Sequence, residues 1–313
     1  MQMSTFEKFN LPKSVQKAID ELGFVTPTPI QEKSFSVIMS GRDMMGIAQT
    51  GTGKTFAYLL PLLKLYKFTP GNTPKIVILV TTRELVVQVV EEVEKLTKYM
   101  SVRTIGIFGG VNINTQKTAV YQGCDILVGT PGRIMDLTLD NVIRFEEMQK
   151  LVIDEFDEML NLGFRTQLTA ILAMMPKKRQ NILFSATMTD EVDAILNDYF
   201  DYPEEVTLSA SGTPLENIKQ ITYEVQNFNT KVNLLKHLLQ TNEDMSRILV
   251  FVNNKKISDM LHTRIEEDFD GQFGVIHSNK SQNYRLSTMA SFQEGNLRGL
   301  ITTDIMARGL DIS

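Results

Sequence analysis

Residues Ala48 to Thr55, reading AQTGTGKT, constrain this 313-residue chain more than any other segment. A loop of this kind needs glycines so that successive backbone N–H groups can turn inward on phosphate oxygens. It also needs a lysine for the β/γ charge and a hydroxyl for Mg2+. Gly51, Gly53, Lys54 and Thr55 supply these parts, and Ala48, small enough to permit the turn, stands where the general pattern has a first glycine. The apolar helical run Phe56 to Leu65 follows at once, which separates the segment from an ordinary glycine-rich turn. Further on, Leu151-Val152-Ile153 runs into Asp154-Glu155-Phe156-Asp157. An apolar strand that delivers acids at its C-terminal end lies where an α/β sheet places a ligand; the first acid can reach Mg2+ and the second can orient water. Asp157 also suits the N-terminus of a following helix.

Short β-rich runs recur between longer helical patterns: Ile76 to Val80, Thr104 to Ile107, Asp125 to Val128, Leu151 to Ile153 and Ile182 to Phe184. Between them, segments such as Glu84 to Tyr99 place Leu85, Val89, Val93 and Leu96 on one side of a helix. This alternation predicts an α/β chain with a mainly parallel sheet covered by helices. The polar, Gly- and Pro-containing stretch 209–219 reads as a linker between a first domain, 1–208, and a second, 220–313. In the second, the pattern predicts strands at Gln220 to Val225, Ile248 to Val252 and near Leu300 to Thr303, with helices at Thr230 to Gln240 and Ile257 to Glu267. This part is short for such a sheet and stops at Leu310-Asp311-Ile312-Ser313 without a tail-like composition, so a second domain cut short is expected.

Composition sets limits on function. With 32 Lys+Arg against 37 Asp+Glu, a formal net charge of -5, the chain lacks the basic footprint of a general phosphate-backbone binder. Any nucleic-acid role therefore has to rest on a local site. The single cysteine, Cys124, cannot form an internal disulfide and sits before a buried strand as a small core residue. The opening MQMSTFEKFN lacks the layout of a secretory signal, and no apolar run approaches the ~20 residues that cross a bilayer. A cytoplasmic location without membrane partners is expected. His237, His262 and His277 stand apart from the cysteine and from one another, which argues against a metal cluster.

Seven short motifs in register carry a sharper reading. Gly23 to Gln31 (GFVTPTPIQ), the loop at 48–55, Thr82-Arg83-Glu84, Gly109-Gly110, Thr130-Pro131-Gly132-Arg133, DEFD at 154–157 and Ser185-Ala186-Thr187 stand in the order found in the DEAD-box RNA helicases. The resemblance continues with Val250 to Asn254, with His277 followed by Gln282 to Arg285, and with Thr303 to Asp311, and it is strongest to the bacterial members. It implies two RecA-like (P-loop NTPase) parallel-sheet domains, the second incomplete, and an ATP-dependent RNA helicase that locally separates duplexes or remodels RNA–protein complexes by ATP- and RNA-driven cleft closure. ATP and Mg2+ are the implied cofactors. RNA is the implied partner, bound largely through its backbone, with ribosomal precursor particles or other RNA–protein complexes as targets and a monomer as the expected state.

The resemblance also assigns residues. Within the segment 4–32, Gln31 reads the adenine edge and Phe6 or Phe24 lies against the base. Ala48, Gln49, Thr50, Gly51, Thr52, Gly53, Lys54 and Thr55 cradle the phosphates, Asp311 binds the ribose, and Thr55 and Asp154 hold Mg2+. Glu155 positions the attacking water, so Lys54, Asp154 and Glu155 form the catalytic set. RNA falls to Thr82, Arg83, Gly110, Thr130, Pro131, Gly132 and Arg133 in the first domain and to Asn253, Gln282, Arg285 and Thr303 in the second. These offer hydroxyls, amides and guanidinium groups to phosphates and sugars, so recognition is expected to be independent of base sequence. Asp157, Ser185, Thr187 and Arg308 are expected to couple the domains.

Three departures stand out. Thr81 occupies the position where the family usually has proline, an exchange expected to be mild. Phe156 replaces the alanine of the motif that names the family, and neighbouring packing is expected to have adapted. The final arginine-finger motif of the family does not occur within the sequence. Such a finger contributes ~10³ to 10⁵ in rate, so an ATP-gated RNA clamp that hydrolyses poorly is the alternative expectation. A DNA translocase of the same superfamily is disfavoured by the Gln31 run, which marks the RNA branch.

Overall fold

The computed structural model describes residues 5–68, 70–208, 219–242 and 244–303. It divides into two compact units, Met1–Thr213 and Pro214–Ser313. Among the described residues no helix is long and apolar enough to cross a membrane.

The first unit opens with a 3-10 turn (Phe6–Phe9) and helices α1 (Lys13–Glu21) and α2 (Pro29–Ser40) and then alternates: β1 (Met44–Ile47), α3 (Lys54–Leu65), β2 (Ile76–Leu79), α4 (Arg83–Thr97), β3 (Thr104–Ile107), α5 (Ile113–Tyr121), β4 (Ile126–Gly129) and α6 (Pro131–Leu139). It continues through β5 (Lys150–Ile153), α7 (Phe156–Asn161), α8 (Arg165–Met174), β6 (Gln180–Ser185), α9 (Asp190–Tyr199) and β7 (Glu204–Thr207). The seven strands are parallel and lie in the order β3-β4-β2-β5-β6-β1-β7. Strand residues alternate between faces. In β2, Ile76 and Ile78 join a core with α1 to α4, whereas Val77 and Leu79 join a second core with α5 to α9. Both faces are thus covered, which is why these strands read as continuous apolar runs.

The sequence pattern missed β1 and β7. In β1, Met44, Met45 and Gly46 lack the β-branched signature, and Gly46 is packed so closely that a Cβ there would lie 2.5 Å from the Phe184 ring. β7 is an edge strand, EEVT, which buries only Val206.

The second unit contains α10 (Phe228–Thr241), β8 (Ile248–Val252), α11 (Lys255–Glu266), β9 (Phe273–Ile276), α12 (Gln282–Gln293) and β10 (Gly299–Thr303). Its parallel sheet runs β8-β10-β9. α10 and α11 cover one face, with Val232, Leu239, Leu261 and Ile265 against Val275 and Ile301, and α12 covers the other with Met289 and Phe292. The strand expected at Gln220 to Val225 does not form: these residues are irregular and mostly exposed. Their alternation of Ile221, Tyr223 and Val225 is strand-like, but among the described residues the segment pairs with no strand, and an unpaired alternating segment gains no ladder of hydrogen bonds.

A candidate nucleotide and RNA-facing site

Parallel strands deliver their following loops to one edge, and here every motif of the first unit follows the C-terminal end of a strand or opens the next helix. The sheet order therefore lays the motifs out in a row. Gly109-Gly110 follow β3, Thr130 to Arg133 follow β4, Thr81 to Glu84 follow β2, the acids follow β5, Ser185-Ala186-Thr187 close β6, and the phosphate loop follows β1. This edge is where open α/β sheets bind ligands.

The phosphate loop is drawn together by its own groups. Thr52 Oγ1 donates to Gln49 O at 2.8 Å and Lys54 Nζ donates to Ala48 O at 3.2 Å, with Thr50 and Gly51 at the exposed tip. Gly53 caps α3 with φ of 86°, a conformation that favours glycine, and a Cβ there would come within 2.6 Å of Gln31 Nε2 and displace that side chain. Gln31 itself is buried. Its Oε1 accepts from Thr28 N–H at 3.0 Å and its Nε2 donates to Gly53 O at 3.1 Å, which ties the first segment to the phosphate loop. Of the two aromatics expected near the base, Phe6 is only 3% exposed and packs edge-on to Phe9, whereas Phe24 is 49% exposed and rests edge-on against Phe56. Phe24 is the one with an open face.

Asp154 is buried at the end of β5, and Glu155 follows in a left-handed backbone conformation, φ 53° and ψ 51°. The Glu155 N–H donates to Asp154 Oδ1 at 2.9 Å, and Thr81 Oγ1 donates to Glu155 Oε2 at 3.1 Å. Burial pushes both carboxyl groups above the usual carboxylate range; at Glu155 the neighbouring Asp154 charge adds to this, while Lys54 offsets it at both. Beside them Tyr58 Oη is fully buried, near enough to Asp154 and Thr55 for their groups to affect its ionisation. Buried Asp154, half-buried Glu155, the adjoining Thr55 and the Tyr58 phenol form an oxygen-rich cluster that fits Mg2+, a hard cation that prefers carboxylate, hydroxyl and phosphate oxygens.

The last acid of the motif does different work. Asp157 Oδ2 accepts from Thr187 N–H at 2.9 Å and from Thr187 Oγ1 at 2.7 Å, and Ser185 Oγ donates to Thr187 O at 2.7 Å. The end of β6 is thereby locked to the start of α7. Phe156 points the other way, fully buried in the core of α7, α8 and α9, so its bulk does not crowd the acids.

On the other half of the edge, Thr82 caps α4, accepting from Leu85 N–H at 3.3 Å, and the Arg83 guanidinium lies over Gly110, where a Cβ would come within 2.2 Å of it. Thr130 and Pro131 are buried at the start of α6, and Gly132 is half-buried. Arg133 is turned inward, donating to Gln116 Oε1 at 2.6 Å and to Val111 O at 3.3 Å. There it braces the loop that follows Gly110. Gln116, which anchors that brace, had no motif to single it out.

In the second unit Asn253 is exposed after β8, Gln282 and Arg285 are largely buried on α12, and Thr303 ends β10. His277 is buried, with Nδ1 accepting from Asn279 N–H at 3.3 Å and Nε2 bonded to Asp259 Oδ1 at 3.0 Å. Arg308 and Asp311 lie outside the described residues.

Comparisons with known proteins agree with this layout. The DEAD/DEAH box helicase family model matches residues 28–195, and the helicase conserved C-terminal domain matches 230–313. The chain is 37% identical over 311 residues to the DEAD-box ATP-dependent RNA helicase CshA of Bacillus cereus, covering 99% of this chain and 58% of that protein. The Geobacillus kaustophilus CshA is 38% identical over 311 residues, with 99% and 66% covered. Among solved structures, S. cerevisiae Dbp5 bound to RNA and ADP BeF3 superposes with a TM-score of 0.85 at 26% identity, covering 98% of this chain and 78% of that one. The yeast DEAD-box splicing factor Prp28 gives 0.64 at 32% identity, covering 98% and 73%.

Proposed function

Because the chain belongs to the DEAD/DEAH box helicase family, we propose that it is an RNA-stimulated ATP hydrolase that separates short RNA duplexes or remodels RNA–protein complexes. It spans 58% of the length of CshA, and the activity is assigned to the chain on its own residues. The observation that carries the reading is the row of motifs along one sheet edge: nucleotide-type groups after β5, β6 and β1 adjoin hydroxyl, amide and guanidinium groups after β2, β3 and β4.

In this reading Gln31 and Phe24 select and cover adenine, and Lys54 meets the β/γ-phosphates. Thr55 and Asp154 would hold Mg2+, which supplies charge neutralisation on the phosphate oxygens when bound. Glu155 orients a water for attack on the γ-phosphorus and receives its proton; the bond from that phosphorus to the bridging oxygen breaks, giving ADP and inorganic phosphate. Arg83, held over Gly110, and the Thr82 and Thr130 hydroxyls contact the RNA backbone, so binding is insensitive to sequence and weakens with salt. ATP and RNA engage both units and draw them together, which strains the bound strand; product release reverses it.

The test is ATP turnover by the 313-residue chain with and without single-stranded RNA, beside Glu155→Gln. RNA-dependent turnover that Glu155→Gln abolishes supports the reading. ATP-dependent RNA retention with no turnover favours the clamp.

A further inference from the structure

β2 and β5 are neighbours in the sheet, and their C-terminal ends are where the RNA-type half of the edge meets the nucleotide-type half. Across that seam Thr81 Oγ1 donates to Glu155 Oε2 at 3.1 Å. Thr81 is 3% exposed, so solvent does not compete freely for the contact. The Glu155 backbone is left-handed, a conformation that residues with a Cβ adopt at a cost, and its N–H is committed to Asp154. That turn sets where the carboxylate starts, and the Thr81 hydroxyl sets where it points. The proline usual at this position in the family has no hydroxyl to offer, so the contact belongs to this chain's own sequence.

Resting on the hydrolase reading above, we propose that Thr81 is a positioning residue for hydrolysis. Its hydroxyl holds the Glu155 carboxylate in the orientation that receives the proton of the attacking water. The chain runs from Thr81 directly into Thr82 and Arg83, so the same short segment carries both the RNA-type groups and the contact that aims Glu155. Thr81 touches neither phosphate nor water in this role; it acts through Glu155.

The test compares Thr81→Val, which keeps the branched shape and removes the donor, with Thr81→Ser, which keeps the donor. The readouts are RNA-stimulated kcat, KM for ATP and the thermal midpoint. Thr81→Val is expected to lower kcat about tenfold while KM stays within about twofold, and Thr81→Ser to restore the rate. Thr81→Ala repeats the measurement without a methyl against Glu155 should valine disturb folding. An unchanged kcat in Thr81→Val, a change confined to KM, or equal losses in valine and serine variants overturns the role while leaving the hydrolase reading intact. A wild-type chain no faster than Glu155→Gln overturns the hydrolase reading and this role with it.

Discussion

Gln31 Nε2 donates to the carbonyl of Gly53 at 3.1 Å, so the residue expected to read adenine also grips the last glycine of the phosphate loop. The same side chain closes on Thr28 N–H, which makes Gln31 a strut between α2 and the start of α3. Gln31→Ala is expected to weaken ATP binding by about 1–3 kcal/mol, the range for a bidentate amide contact to a base, and to leave GTP binding little changed. Titration with fluorescent ATP and GTP analogues checks this; equal losses for both nucleotides would mean that Gln31 shapes the loop without reading the base.

Asp157 holds Thr187 through both its N–H and its hydroxyl. Asp157→Ala hands these donors, on exposed Thr187, over to water, a loss of about 0.5–1.5 kcal/mol in unfolding free energy. If the lock relays nucleotide state to RNA, strand separation falls more steeply than ATP affinity in this variant. Parallel strand-displacement and nucleotide-binding assays separate the two, and equal declines would reduce Asp157 to a stabilising role.

Phe156 is fully buried among Met159, Leu168, Ile171 and Val192, on the core side of the sheet. Phe156→Ala restores the family's usual acidic motif yet is expected to destabilise the first unit by about 3–5 kcal/mol, the cost of a lost aromatic and its cavity. Urea unfolding of the two proteins measures it. A cost below about 1 kcal/mol would show that the surrounding side chains collapse into the space.

Arg103 and Asp125 form a half-buried pair, with Nη2 to Oδ1 at 2.9 Å and the Arg103 N–H on Oδ2 at 2.8 Å. Burial alone would raise the Asp125 carboxyl; hydrogen bonds and charge from Arg103 outweigh it and hold the group below its ordinary value. A carboxyl depressed by folding stabilises the protein above its unfolded pKa of ~3.9 and loses that contribution as pH falls through the folded value. Asp125→Asn is therefore expected to lower stability at pH 7 and to flatten the acid limb of the stability profile below about pH 4. Unfolding midpoints from pH 7 to pH 3 test this, and parallel profiles for the two proteins would exclude the pair as a source of acid sensitivity.

Much of this molecule is legible without coordinates because its signals are local. The phosphate loop has to turn, cradle and start a helix within eight residues, and the apolar runs from Ile76 and Leu151 have to be strands with both faces covered. Legibility fails where the signal is weak or the partner distant. β1 hides because two methionines and a closely packed glycine carry no β-branched pattern, and Gln220 to Val225 misleads because alternation does not supply a neighbour to pair with.

Sequence by itself determined the strongly patterned elements, the motif order and the identity of the acids, glycines and hydroxyls, since each depends on residues a few positions apart. Tertiary structure alone decided which of these meet. Sheet order set β2 beside β5 and so brought Thr81 to Glu155, 74 residues apart. It turned Arg133 inward to Gln116, sent Phe156 to the core side, and left Phe24 open while burying Phe6. The physical reason is that a parallel sheet joins strands through long crossovers, so neighbours at its edge are fixed by packing on both faces and by no spacing along the chain.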